Sequence, residues 1–170
     1  MGFAATRYTT TTTTMLHGAM DVETFNKALP AFHKLAVEHL TSNVDLHVES
    51  NYVKSYSGKW CSFISLRLDQ TNLEFVVSYN EFYQEPVLHH LRDHNPGITV
   101  DIEQCFPEVH PVLQRTFLFL HQCETKELMQ SLEPKSPVRY LVSWFGIYLS
   151  YIDAGLSLRV PEQAYTSVLS

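Results

Sequence analysis

Cysteine is scarce in this chain, basic residues are outnumbered, and no apolar run is long enough to cross a bilayer. Three cysteines in 170 residues, Cys61, Cys105 and Cys123, form an odd set without a Cys-x-x-Cys pair. That excludes a disulfide framework and a dithiol redox centre and points to a reducing compartment, so a cytosolic protein is expected. Twelve Lys and Arg stand against eighteen Asp and Glu, a formal net charge of −6, with no basic cluster. A nucleic-acid binder would carry a basic face, so the partners expected are proteins or small molecules. The most apolar stretch, Tyr140 to Ile152, is shorter than the ~20 residues a spanning helix needs and reads as a buried element.

What remains describes an ordinary folded protein: 45% apolar residues and 18% charged ones, in a length that suits one domain with a sizeable core. Residues 1–20, with the threonine run Thr9 to Thr14, show no hydrophobic period and read as a disordered leader; 21–170 read as a single domain. Phe25, Leu29, Phe32 and Ala36 recur at helical spacing between Asp21 and His39, with Asp21 as a cap and Pro30 forcing a kink or a late start. Val44–Glu49, Trp60–Leu68 and Leu73–Tyr79 alternate as strands, separated by turns at Ser57-Gly58 and Asp69–Asn72. Pro86–Leu91 supplies a fourth strand, closed by Asp93 to Gly97. From Ile98 to Arg115 the pattern weakens into a proline-punctuated connection with at most one helical turn, around Asp101 to Cys105. Ser136-Pro137 opens a helix that runs to Ile152 and is closed by Gly155. The final residues form a polar tail with no assignable element. The order is a helix, an antiparallel meander and C-terminal helices, an α+β protein.

Nine histidines invite a metal site, but spacing argues against one. His90 and His94 are followed by Asn95-Pro96-Gly97, which breaks any helix, and His-Glu-x-x-His does not occur. No cofactor and no metal are expected. Attention turns to Cys123, where the strand-forming run Phe117 to His121 stops and the helix-forming run Glu124 to Ser131 begins. A thiol there is open on the helix side, and the unpaired amides of a helix start favour its thiolate. A phosphatase loop needs arginine six residues after the cysteine, where Met129 stands. A cysteine hydrolase needs a histidine base; His121 can share a face with Cys123, whereas the position of His110 is undetermined. Thioester transfer needs no triad, only an accessible thiol, nearby polar groups and a surface that admits protein partners.

Three blocks carry a resemblance. Glu108-Val-His-Pro-Val-Leu113, then Phe117-Leu-Phe-Leu-His-Gln-Cys-Glu-Thr-Lys-Glu-Leu-Met129, then Tyr140-Leu-Val-Ser-Trp144 resemble the autophagic E2-like conjugating enzymes, the autophagy-related protein ten family. Its hallmark is His-Pro-Cys-x-Thr after an aromatic-rich strand, followed by a helix with a Ser-Trp pair. Tyr83-Gln-Glu-Pro-Val-Leu88 resembles the family's Tyr-x-x-Pro-hydrophobic strand entry. The likeness spans roughly residues 25–156.

The resemblance implies an E2-like core: an N-terminal helix, an antiparallel meander of about four strands, an extra short hairpin near the catalytic cysteine, and C-terminal helices. It implies that Cys123 accepts the ubiquitin-like modifier autophagy-related protein twelve as a thioester. The donor would be the E1-like autophagy-related protein seven, and the acceptor a lysine of autophagy-related protein five. Work at the site of autophagosome assembly would follow. Tyr83 matches a tyrosine that hydrogen-bonds the thioester or orients the amine, and His121 takes a supporting position as donor to the developing oxyanion. Gln122 departs from the pattern, standing where the family has proline, and gives the loop more freedom and one more donor. Thr125 is expected to cap the following helix, and Glu124 to oppose thiolate formation partly. Leu73–Tyr79 and the hinge before Pro86 are candidate substrate-facing edges, with Glu74 and Ser78 pointing outward. A lipid-conjugating autophagic E2 would need long acidic insertions, and a silent E2-like binding module would leave Cys123 merely packed.

Overall fold

The computed structural model describes residues 19–95, 105–122 and 124–168. It opens with α1, Val22–His39, whose N-cap Asp21 accepts a hydrogen bond from the Thr24 amide at 2.7 Å. The helix runs through Pro30 rather than starting after it. Pro30 is exposed, so the carbonyl four residues earlier, deprived of an amide partner, faces water. Phe25, Leu29, Phe32 and Ala36 all lie on the buried face, together with Leu35. Met20, inside the stretch read as leader, is 2% exposed, and its carbonyl accepts from the Tyr79 hydroxyl.

Among the described residues eight strands follow in two sheets. A small pair joins β1, Leu40–Ser42, to β8, Leu156–Leu158. The main sheet holds β2 (Leu46–Tyr56), β3 (Lys59–Leu68), β4 (Thr71–Asn80), β5 (Glu85–Arg92), β6 (Cys105–Val109) and β7 (Thr116–Leu120). Its order is β2-β3-β4-β5-β7-β6, antiparallel throughout. The four-strand meander and the added hairpin expected from the sequence are both present. Ser57 and Gly58 each take positive φ, the conformation that a two-residue hairpin turn matched to strand twist requires. The helices α2 (Thr125–Leu132), α3 (Pro137–Ile152) and α4 (Glu162–Val168) complete the chain. Ser136 caps α3 by accepting from the Arg139 amide, with Pro137 in the first turn.

Both faces of the central strands are covered. Ile64, Leu66, Phe75, Val77, Leu88 and Leu120 pack against α1 and α3 around Trp144 and Tyr140. Cys61, Phe63, Val76, Leu91, Val112 and Phe117 form a second cluster on the opposite face. Each large apolar side chain so buried contributes about 1.5–3 kcal/mol, which is why two-sided burial fixes the register of β3 and β4 firmly.

Several expectations are corrected. Leu73–Tyr79 is no edge: β4 lies between β3 and β5, and the edges are β2 and β6. Glu74 is 3% exposed and holds the Arg115 guanidinium in a forked pair at 3.1 Å, while Ser78 is also buried. The hinge before Pro86 is exposed, but Pro86 itself is inside the sheet. The connection before Arg115 contains a strand, β6. Pro107 is tolerated there because an edge strand leaves one row of amides unpaired. Most of the helical turn expected around Asp101 to Cys105 falls outside the described residues. Gly155 does not cap α3, which ends on Asp153 in an extended conformation. A Cβ at 155 would stand 2.3 Å from Asn43 Oδ1, so any other residue there would require the Asn43 side chain to move. Residues in the polar tail form α4, docked by Arg139 over the Tyr165 ring at 4.0 Å and paired with Glu162.

Candidate functional site

Cys123 itself lies outside the described residues, so the site is built from what surrounds it in the chain. The junction expected from the sequence is present: β7 ends at Leu120, and α2 begins at Thr125. Because β5 and β7 run antiparallel, with His89 opposite Phe119 and His90 opposite Leu118, the start of β5 lies beside the end of β7. That brings the loop between β4 and β5 to the strand end from which the chain passes through His121 and Gln122.

The loop is shaped by Asn80. Its side-chain carbonyl accepts from the amides of Phe82 and Tyr83, both at 3.0 Å, a tight turn that needs an Asn or Asp at its start. Tyr83 is thereby held on the rim, 43% exposed, with its ring edge-on to Phe82. Tyr83 and His121, far apart in sequence, line one cavity of about 210 Å³ together with Glu85, Phe119, Gln122 and Lys126. The two supporting residues read from the sequence are thus brought together.

Two members of that lining were not singled out for this position. Gln122 is 3% exposed, and neither its Oε1 nor its Nε2 has a hydrogen-bond partner among the described residues. The extra donor expected of this residue is present, but on a buried side chain. Glu85 is 8% exposed, and burial raises the affinity of its carboxylate for a proton, opposed by the nearby charge of Lys126. A glutamate at the entry of an apolar strand that pairs beside the cysteine's strand was a signal open to sequence reading.

Thr125 does not cap α2. The N-cap is Glu124, which makes no side-chain cap bond. The Thr125 hydroxyl instead donates to the Gln122 carbonyl at 3.0 Å and lies 2.9 Å from the Tyr148 hydroxyl. A carbonyl only accepts, so the threonine's one proton is committed there and Tyr148 must be the donor to Thr125. The chain on the two sides of position 123 is in this way tied across itself and to α3.

His110 takes no part in this cavity. Its Nδ1 accepts from the amides of Val112 and Leu113, at 3.2 and 3.3 Å, so Nε2 carries the proton and donates to Ser78 Oγ at 3.0 Å. That is the wrong tautomer for a base acting on Ser78, and burial pushes its pKa down to about 3. His89, with Nε2 2.6 Å from Glu108, lines a different cavity of about 260 Å³ that shares no residue with the first. Among the described residues Cys105 is the thiol with a histidine partner, His90 Nε2 at 3.3 Å. Burial drives the two apart as a dyad: the thiol is pushed up to about 11 and the imidazole down to about 4, so both are neutral near pH 7. Among the described residues no cluster of His, Cys, Asp or Glu could hold a metal ion. Nor is any described helix long and apolar enough to cross a membrane.

Comparison with known proteins places this cavity inside a recognised domain. Residues 48–158 match the family model described as autophagocytosis associated protein, active-site domain, a span that contains Tyr83, His121, Gln122 and Cys123. The ubiquitin-like-conjugating enzyme ATG10 of Candida albicans is 27% identical over 145 residues, covering 73% of this chain and 82% of that relative. No solved structure matches. The chain belongs to the autophagocytosis-associated family that carries this active-site domain, the autophagic E2-like proteins of the autophagy-related protein ten type.

Proposed function

We propose that this protein is an E2-like conjugating enzyme of autophagy that carries a ubiquitin-like modifier as a thioester on Cys123 and passes it to a lysine of a protein substrate. The finer assignment follows the family resemblance: autophagy-related protein twelve as modifier, autophagy-related protein seven as donor, autophagy-related protein five as acceptor. The observation that carries the reading is the convergence of Tyr83, His121 and Gln122 on one cavity at the strand-to-helix junction where the sequence places Cys123.

In this reading the Cys123 thiolate attacks the acyl group presented by the E1-like enzyme and later leaves from it when the amine attacks, so one sulfur serves both half-reactions. His121 and the Tyr83 hydroxyl are donors at the rim, placed to hold the acyl carbonyl as its oxygen gains charge. The Thr125–Gln122 bond and the Tyr148 hydroxyl keep the residues before and after the thiol at a fixed spacing.

The test is reconstitution with the E1-like enzyme, the modifier and ATP, read on non-reducing gels. Wild type is expected to form a thiol-sensitive adduct, and Cys123→Ser either none or a thiol-resistant one. No adduct on wild type, with partners shown to be active, would refute the reading and leave a protein-binding module with a packed cysteine.

A further inference from the structure

Glu85 is the acidic residue of the cavity, and Gln122 is its buried carboxamide, unpartnered among the described residues. The glutamate is 8% exposed and makes no hydrogen bond or ion pair among the described residues, while its carboxylate oxygens, unlike the Gln122 amide, keep access to solvent. Buried Glu74, by contrast, is held by the Arg115 guanidinium, so the Glu85 carboxylate is the one left open to a ligand in this cavity. The groups facing Glu85 are the phenols of Tyr79 on β4 and of Tyr140 and Tyr148 on α3, whose ionisation its charge opposes, and the Lys126 ammonium on α2. The cavity itself is lined by Glu85, Lys126, Tyr83, Phe119, His121 and Gln122. Lys126 is solvent-exposed, so the one cation near Glu85 is free to swing away. The cavity therefore combines a carboxylate without a fixed partner and a buried, unpartnered carboxamide, Gln122. An alkylamine would meet both.

We propose that Glu85 is a catalytic residue that receives the ε-amino group of the acceptor lysine in this cavity and takes its proton as the amide bond forms. This rests on the thioester reading of Cys123. The neutral amine attacks the thioester carbonyl carbon, a C–N bond forms, and the nitrogen becomes positively charged while the oxygen becomes negative. Glu85 stabilises the developing positive charge and accepts one proton from nitrogen. The C–S bond then breaks, the sulfur leaves as thiolate, and the proton held by Glu85 passes to it through solvent. The products are an amide and a free thiol, with no other reactant. Only roughly 0.04% of a free lysine is neutral at pH 7, so a group that favours the amine's attack has a large effect to exert.

The experiment loads wild type, Glu85→Gln and Glu85→Asp with modifier, removes ATP, and chases the thioester with free lysine or with hydroxylamine. Glutamine keeps shape and removes charge, so loading on Cys123 is expected to be unchanged. Discharge to lysine is expected to slow roughly 100-fold in Glu85→Gln, the lower range for loss of a general base, and to be partly restored in Glu85→Asp. Discharge to hydroxylamine, whose weakly basic adduct sheds its proton to water unaided, is expected to stay at the wild-type rate. Equal rates with lysine, or an equal loss with both amines, would overturn the role of Glu85 while leaving the thioester intact. Failure of wild type to load would instead fell the thioester reading and this inference with it.

Discussion

Thiol reactivity separates the three cysteines without any partner protein. Cys61 is fully buried in the second core, and burial pushes its thiol up to about 11. Cys105 is a better comparator because it is partly exposed, so access alone does not silence it; burial still pushes it to about 11, and the neutral His90 ring offers no positive charge. At pH 7.5 a thiol of that pKa is roughly 0.03% ionised, against roughly 10% for an ordinary thiol near 8.5, a ratio of about 300. Alkylation by iodoacetamide in native buffer, followed by peptide mass spectrometry, should therefore modify Cys123 at least about 100-fold faster than Cys105, if Cys123 reacts as an ordinary exposed thiol or better. The same labelling in denaturant should bring all three rates together. Native rates for Cys105 and Cys123 within about tenfold of each other would refute the argument, since burial would then fail to set the thiolate fraction. A native protein in which none of the three is labelled would favour a packed Cys123 and a silent module.

Acid should destabilise the protein from about pH 6.5 downward through its buried histidines. Burial holds His90 at about 4 and His110 at about 3, against ~6.5 in the unfolded chain, so the unfolded chain binds protons first as pH falls. Their contribution is complete above ~6.5 and is lost on the way down to about 4; between pH 6 and 5 the pair should cost about 2 kcal/mol, with His33 and His89 shifted the same way by burial. Urea midpoints that stay level from pH 7 to pH 5 would contradict this. Thr125→Val should remove one of two donors to the Gln122 carbonyl, which keeps the Thr125 amide at 3.2 Å, and the acceptor of Tyr148, leaving the Tyr148 hydroxyl unpaired at about 1–3 kcal/mol. Thermal melts of that variant and of Tyr148→Phe should show the threonine change to be the costlier, because it strands the Tyr148 hydroxyl whereas in Tyr148→Phe the Thr125 hydroxyl still donates to the Gln122 carbonyl; equal losses would speak against Tyr148 as the donor.

Much of the architecture was legible because single periodicities dominate it. One apolar stripe, Phe25 to Ala36, is sufficient for α1, and Ser136-Pro137 marks the start of α3 by a cap and a preset φ. The meander was recognisable, yet its exposure was misjudged. Alternation in β4 comes from apolar residues on one face and Glu74 and Ser78 on the other, and that polar face is covered by Arg115 and His110 from the segment before β7. Those partners are distant in sequence, so no local pattern reveals that the face is buried. The same limit hid β6, where Pro107 and Pro111 read as punctuation although an edge strand accepts proline. The short pair of β1 and β8 is three residues long on each side and depends on Gly155 approaching Asn43, a contact with no periodicity at all.

The sequence brings out Tyr83 and His121 as two members of one cavity beside the strand-to-helix junction, but not the energetics there. A helix start was expected to favour the thiolate, yet α2 is eight residues long, and its N-cap is an acidic residue without a cap bond, so its dipole is short and partly opposed. The stronger organising force is the packing of α3, which brings Tyr148 to Thr125 and sets Tyr140 and Tyr148 beside Glu85. In a thioester enzyme this suits the chemistry. A strongly depressed thiol pKa makes a good leaving group but a poor nucleophile, and the sulfur has to act as both. On the thioester reading, Glu85 in the cavity wall meets the incoming amine as it becomes positive and assists transfer without acting on the sulfur. Selectivity between capture and transfer then resides in the wall of the cavity, and substitutions there should separate the two half-reactions where substitutions of the cysteine abolish both.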